Sequence, residues 1–399
     1  MKFAFLVAPH LGGTYTVFTQ VRAALAPFGI AVVWMGRTRR EKLDVDPDWS
    51  PTLKFGVPLA PMEGMDEASQ AKMMAAEIET AGCDGVFINV LSDHVSMNLA
   101  RYLPETLLKV MIVHNISPGT YAAARALQGH VHATVCVSRR IRDDLVRRFR
   151  FDPVRTVVID NALGLPEISA PQVSRGVSGQ LRVLFLGRVD DASKGVFWLP
   201  RILRYCSEST TLTVAGDGPD LARLRRSFAG LEHQVSFLGG VPPDKVPALL
   251  AAHDALIMPS RFEGFGYVLI EAMAIGCVPV ASNIPGVTST IIEDKRDGLL
   301  FPVGKCRVAA QCLDALAKKP VWREAMSAAA IEKVRGYYGI DRLGREYARL
   351  IETLRRDPPP LPSPLPLSSW RLPPGLRPGL RTYLPAPVKN LLRTLRARA

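Results

Sequence analysis

The chain has 399 residues, 48% hydrophobic and 22% charged, which excludes a disordered polymer and leaves room for two or three domains with real cores. Fifty Lys and Arg against 37 Asp and Glu give a formal net charge of +13, so the first expectation is an anionic partner: nucleic acid, a membrane surface or a phosphorylated substrate. The six cysteines are scattered without a CxxC pair, which argues against a zinc site or a disulfide framework and fits a reducing cytosol.

The charge is unevenly spread. From Pro358 to Ala399 there is no Asp or Glu, while Arg371, Arg377, Arg381, Lys389, Arg393, Arg396 and Arg398 contribute seven positives. The body before this tail is only mildly basic. With no aromatic-basic interleaving, nucleic acid is the weakest of the three expectations.

FAFLVA near the N-terminus reads as a buried first strand rather than a signal peptide, because HLGGT soon interrupts the apolar run. Further strands are predicted at 30–35, 85–90, 110–113, 133–137 and 156–159, with amphipathic helices such as 67–80 and 138–149 between them. Short apolar strands alternating with helices predict a parallel sheet covered on both faces. A loop-like stretch, 166–180, follows. The pattern then restarts with strands at 181–187, 212–216, 235–239, 255–259 and 277–282. No run of roughly 18 apolar residues occurs, so no membrane-spanning helix is expected.

The expected organisation is α/β. It has a first domain at 1–165, a linker at 166–180, a second domain at 181–335 and a helix at 336–356 returning to the first domain. A flexible, proline-rich basic tail occupies 357–399, since PPPLPSPLPL suits an extended spacer. VKNLLRTLRARA at the end is read as a short basic amphipathic helix. In sheets of this kind ligands sit outside the carboxyl ends of the strands.

The residues at those ends are the candidates. His10, Gly12 and Gly13 follow the first strand, Asp93 and His94 the third, and His114 the fourth. The glycines suit either a close approach to phosphate at a helix N-terminus or a tight turn. The histidines suit ordinary loop positions or a metal cluster whose spacing the sequence does not specify. In the second half, GRVDDASKG places Arg188 and Lys194 near a strand end, where two cations suit a diphosphate. AGDGP at 215–219 is a glycine-rich turn. SRFEGFGYVLIEAMAIGCVPVASNIPGV at 260–287 carries Glu263 in a glycine loop and Glu271 eight positions later among apolar neighbours, where a carboxylate needs partners.

Together these segments resemble the retaining glycosyltransferases of family 4, the group 1 glycosyltransferases of GT-B fold. The matching pieces are the Gly-Gly loop, VHN at 113–115, GRVDDASKG, AGDGP, VSFLGGVPPDKVPALLAAHDALIMPSRFEGFG and the two glutamates, in the family's order over about residues 1–356. NAL at 161–163 departs from the family's usual Asn-Gly-Val. The resemblance implies two Rossmann-like doubly wound domains facing a cleft. It implies a sugar transferred from a nucleoside-diphosphate sugar to a hydroxyl of a glycan or lipid-linked acceptor, as in polysaccharide or glycolipid assembly.

By the same resemblance, Arg188 and Lys194 neutralise the donor diphosphate, and Glu271 binds ribose hydroxyls. Glu263, with the backbone of Gly264, Phe265 and Gly266, holds the sugar and pyrophosphate. Gly13 faces the phosphate from the other domain, and His114 lies beside the transferred sugar. Pre-placed cations stabilise a departing diphosphate without a metal, and the second half has no Asp-x-Asp motif, so neither metal nor cofactor is expected. Retention through a front-face displacement is what the family suggests. The competing readings are a nucleotide-sugar epimerase or phosphorylase of the same fold, or a non-catalytic nucleotide-binding scaffold.

SRRIRDDLVRRFR at 138–150 has an apolar stripe and an arginine-rich outer face, which suits a solvated core helix or an anionic-lipid contact. With the tail, it leads to the expectation of a cytoplasmic protein, peripheral on the inner face of the membrane.

Overall fold

The computed structural model describes residues 1–10, 13–37, 54–59, 64–90, 93–164, 180–207, 209–377 and 388. Gly12, the linker apart from Gln180, and the basic helix expected at the C-terminus lie outside the described residues. Over the described residues the chain forms two compact units, Met1–Ala162 with 340–377, and Leu163–Gly339.

The first unit is built on seven parallel strands: β1 (Lys2–Leu6), β2 (Ala31–Arg37), β3 (Gly56–Leu59), β4 (Gly85–Asn89), β5 (Leu108–Val113), β6 (Ala133–Cys136) and β7 (Thr156–Val158). Their order is β3-β2-β1-β4-β5-β6-β7. The central strands are buried along their whole length because helices cover both faces. β3 has no counterpart among the strands expected from sequence. It holds Gly56 and Pro58, both poor strand formers, and it survives as an edge strand where proline's missing N–H costs no ladder bond.

Helix α1 (Gly13–Leu25) and helix α2 (Glu67–Thr80) follow β1 and β3. Asp66 caps α2, its carboxylate accepting from the Ser69 amide at 2.7 Å. Helix α3 (Pro118–Leu127) is capped by Ser117 and has proline in its first turn. Helix α4 (Arg139–Phe149) buries Ile141, Asp144 and Leu145. The Asp144 carboxylate accepts from the Tyr121 hydroxyl at 2.9 Å and pairs with Arg140 at 3.0 Å, so part of the helix's positive charge is met internally.

The second unit repeats the plan with six parallel strands: β8 (Leu181–Leu186), β9 (Thr210–Ala215), β10 (Val235–Gly239), β11 (Ala255–Met258), β12 (Val278–Asn283) and β13 (Leu299–Pro302). Their order is β10-β9-β8-β11-β12-β13. β13, four residues ending in proline, was also not expected, and it too lies at an edge. The second unit extends beyond the expected 181–335, because the Leu163 amide donates to the Tyr338 carbonyl at 2.8 Å.

The chain re-enters the first unit at the last long helix, α5 (Ile340–Arg356). Its buried residues Leu343, Gly344, Tyr347, Ile351 and Leu354 recur at helical spacing. Gly344 lies against the Ala24 carbonyl of α1, an approach that a larger residue would block. Tyr347 meets Phe87 edge-on at 5.7 Å, completing an aromatic core with Phe3, Phe5 and Phe18.

The described part of the tail is not the free spacer expected from its prolines. Trp370 lies 4.6 Å from the Tyr102 ring and donates from Nε1 to Glu67. The Arg371 amide donates to the Tyr102 hydroxyl at 2.9 Å, and its carbonyl accepts from Asn98 and Arg101. Gly375 rests on the Ala122 carbonyl of α3, and Leu376 is buried. Right-handed crossovers put α1 on one face of the sheet and α2 and α3 on the other. The tail leaves α5 beside α1 and ends on α2 and α3, so it straps the two helical layers together.

Candidate functional site

In the second unit the strand order runs outward from β8 in one direction and from β11 in the other. Outside the carboxyl ends of these two neighbouring strands lies the switch point where open α/β sheets take ligands. The loop after β8 carries Arg188 and Lys194. The loop after β11 carries Glu263 and the Gly264–Gly266 turn.

The two loops are tied to each other. Lys194 Nζ donates to Glu263 Oε1 at 2.6 Å. The Ser260 hydroxyl, fully buried, donates to the same oxygen at 2.6 Å. The Arg261 amide donates to the Ser193 carbonyl at 2.8 Å. The Arg261 guanidinium donates to the Asp191 carbonyl and to its carboxylate, each at 2.7 Å, while stacking 4.0 Å over Trp198. Gly195, with φ of 62°, fits beneath the Pro259 carbonyl, where a Cβ would collide.

Glu263 is thus a buried carboxylate whose charge is met by one ammonium and one hydroxyl, as burial requires. Arg188 differs. It is exposed and has no side-chain partner among the described residues, so its guanidinium is available to an anion. Gly266, with φ of 99°, opens helix α6 (Tyr267–Ala274), and no side chain caps that helix. The positive end of its dipole therefore lies at the Gly264–Gly266 turn. Glu271 sits half-buried on the same helix. Phe265 is buried, its ring edge-on to Tyr267 at 5.7 Å and Tyr338 at 6.1 Å, so only its backbone is open to a ligand.

AGDGP has a structural task. Gly216 backs onto the Gly187 carbonyl and Gly218 onto the Val189 carbonyl, so this turn braces the Arg188 loop from behind. The Val189 amide donates to the Asp217 carbonyl at 2.8 Å, and the Asp220 carboxylate accepts from the Asp191 amide at 2.8 Å.

The other candidates belong to the first unit. Gly13 is exposed at the start of α1, with open space where a Cβ would stand. His114 follows β5, half-buried, with Nε2 2.7 Å from Asn89 Oδ1. Burial pushes its pKa down to about 4, so the ring is neutral at physiological pH. Asn89 has no exposure and donates from Nδ2 to the Leu6 carbonyl at 3.1 Å. His10 bonds to the Ala8 carbonyl, and Asp93 caps the turn beginning at His94. No group of three or more His, Cys, Asp or Glu that could hold a metal occurs among the described residues.

Sequence reasoning missed Asn89, Ser260, Arg261 and Asp191. Asn89 announces itself only as an amide ending an apolar strand. Ser260 and Arg261 lie within the motif but look like ordinary loop residues until the fold brings 191–194 alongside.

The chain resembles known proteins in family, sequence and structure. A family model described as Glycosyl transferases group 1 matches residues 180–319. A phosphatidyl-myo-inositol mannosyltransferase of Mycobacterium leprae is 34% identical over 209 residues, covering 50% of this chain and 55% of that protein. A 2-deoxystreptamine N-acetyl-D-glucosaminyltransferase of Streptomyces fradiae is 29% identical over 245 residues, covering 57% and 58%. The chain thus spans about half the length of these curated relatives. Among solved structures, Anabaena Alr3699/HepE in complex with UDP and glucose superposes with a TM-score of 0.71 at 18% identity, over 89% of this chain and 100% of that one. Sucrose-phosphate synthase from Thermosynechococcus elongatus superposes with a TM-score of 0.73 at 20% identity, over 89% and 99%. These likenesses establish the fold as GT-B, two Rossmann-like units.

Proposed function

We propose that the chain, whose residues 180–319 match the group 1 glycosyl transferase model, transfers a sugar, with retention, from a nucleoside-diphosphate sugar to a hydroxyl of a glycan or lipid-linked acceptor. The observation that carries this reading is the pairing of Lys194 with Glu263 at the switch point of the second sheet, on the same connection as Arg188, which is exposed and has no side-chain partner among the described residues.

The site's charges suit that reaction. Arg188 offers a two-pronged fork to the diphosphate and Lys194 a point charge. The uncapped start of α6 adds backbone donors. As the sugar–phosphate bond lengthens, the sugar gains oxocarbenium character and the departing diphosphate gains charge. Fixed cations stabilise that charge as it develops, so the proposal includes no metal. Glu271 reads ribose. Glu263 holds Lys194 in place and presents the Gly264–Gly266 backbone to the pyrophosphate. His114 stands beside the transferred sugar, and Gly13 leaves room for phosphate at the start of α1.

The proposal extends to the membrane. Among the described residues no helix is long and apolar enough to cross one. The exposed Arg139, Arg147 and Arg150 of the α4 region suit an anionic surface instead.

The test is a thermal-shift screen with UDP, GDP and ADP, followed by nucleotide release from the matching sugar donors with and without acceptor extract. A raised melting point and acceptor-dependent release that survives EDTA support transfer. Release independent of acceptor, or no binding of any diphosphate, refutes it.

A further inference from the structure

We infer that Asn89 is a positioning residue that locks His114 as its Nε2–H tautomer, leaving Nδ1 unprotonated as an acceptor for a hydroxyl of the transferred sugar. The inference rests on the placement of His114 beside that sugar proposed above.

The Leu6 backbone carbonyl can only accept, so the Asn89 group 3.1 Å away must be the amide nitrogen. The other end of the amide, Oδ1, then faces His114 and carries no proton. The ring nitrogen 2.7 Å from it, Nε2, must therefore be the donor. A neutral imidazole has only one N–H, so Nδ1 keeps its lone pair. Burial favours the neutral ring and lowers its pKa to about 4.

The relay crosses three neighbouring strands at their carboxyl ends. Leu6 ends β1, Asn89 ends β4 and His114 follows β5. Asn89 has no exposure, so its amide is held on both sides by the sheet. A strand end that only packed would carry another apolar residue, as most positions around it do.

The consequence is a specific chemistry. An unprotonated Nδ1 accepts from O–H and has nothing to offer a phosphate oxygen. His114 is thereby suited to a neutral hydroxyl and not to a phosphate oxygen.

The experiment uses the full chain labelled with 15N-histidine. The His114 signals are assigned by their loss in His114→Gln. The expected spectrum shows a pyrrole-type Nε2 and a pyridine-type Nδ1 at neutral pH. In Asn89→Asp the carboxylate draws a second proton onto the ring, so Nδ1 is protonated at higher pH than in the wild type. In Asn89→Leu the tautomer preference weakens. Turnover is followed with whichever of UDP-, GDP- or ADP-glucose raises the melting point. Both Asn89 variants should lower kcat about tenfold, the worth of one hydrogen bond, with little change in KM.

An Nδ1–H tautomer in the wild type, or the same spectrum in wild type and Asn89→Asp, overturns the inference. If Asn89→Leu fails to fold, the wild-type and Asn89→Asp spectra still decide. The spectrum as described with full turnover in His114→Ala would instead overturn the placement of His114 beside the sugar.

Discussion

Lys194 and Glu263 lie 69 positions apart in sequence and form a 2.6 Å ion pair, with Ser260 donating to the same carboxylate oxygen. Each therefore depends on the other before any ligand arrives.

Lys194→Ala leaves the Glu263 carboxylate buried with one hydroxyl partner. The expected loss of stability is about 1–3 kcal/mol, read from urea midpoints. Glu263→Gln keeps an acceptor for both donors and should cost less. Both variants should lower transfer about 100-fold, because the cation is lost in one and loosened in the other. Near-normal turnover in both would remove this pair from the site.

Arg188 and Arg261 separate binding from folding. Arg188→Ala breaks no bond among the described residues, so its melting point should match the wild type while nucleoside-diphosphate affinity falls about tenfold or more. Arg261→Ala removes both bonds to Asp191 and the stack on Trp198, so it should lower the melting point first. Calorimetric titration beside thermal melts distinguishes them.

Two glycines make a parallel comparison. Gly216→Ala forces a Cβ onto the Gly187 carbonyl at a φ of 137°, and should destabilise by more than about 1 kcal/mol. Gly13→Ala meets open space and should fold normally. Any loss of donor binding in Gly13→Ala then reports on the ligand. Full binding there would remove Gly13 from the phosphate site.

Much of this was legible in sequence, for identifiable reasons. Uniformly apolar strands alternating with amphipathic helices specify a parallel sheet almost uniquely, so most of the thirteen strands among the described residues were expected near their observed positions. β3 and β13 escaped because Pro58 and Pro302 contradict strand propensity, and only an edge position tolerates them. The tail escaped because its docking depends on Tyr102 and Glu67, far away in the chain. Within the site, Arg188, Lys194 and Glu263 could be named from their charge and loop context. That Lys194 is already engaged by Glu263 is a tertiary fact with no local signature.

The histidines give stability a pH dependence. Burial holds the pKa of His114 and of His132 at about 4, His132 being pushed further by Lys109 and Arg155. The ordinary value is 6.5. Between these values the unfolded chain binds more protons than the folded one. The stabilising contribution is therefore complete above about pH 6.5 and is lost as pH falls toward 4, by at most about 1.4 kcal/mol per pH unit for each residue. Urea midpoints at pH 7.5 and 5 should fall accordingly. The His114→Gln, His132→Gln double variant should flatten the slope.

Because the proline-rich run is strapped down through Leu376, the last basic residues have a fixed point of origin on the outer surface of α3. Cutting at residue 357 would strip cladding from Tyr102 and α3 along with the basic end, and so confound adhesion with folding. A stop after Arg377 removes the basic end alone. Flotation of that shortened chain with vesicles rich in anionic lipid should show weaker binding than the full chain, at an unchanged melting point. Equal flotation would leave the arginines of α4 as the surface that matters.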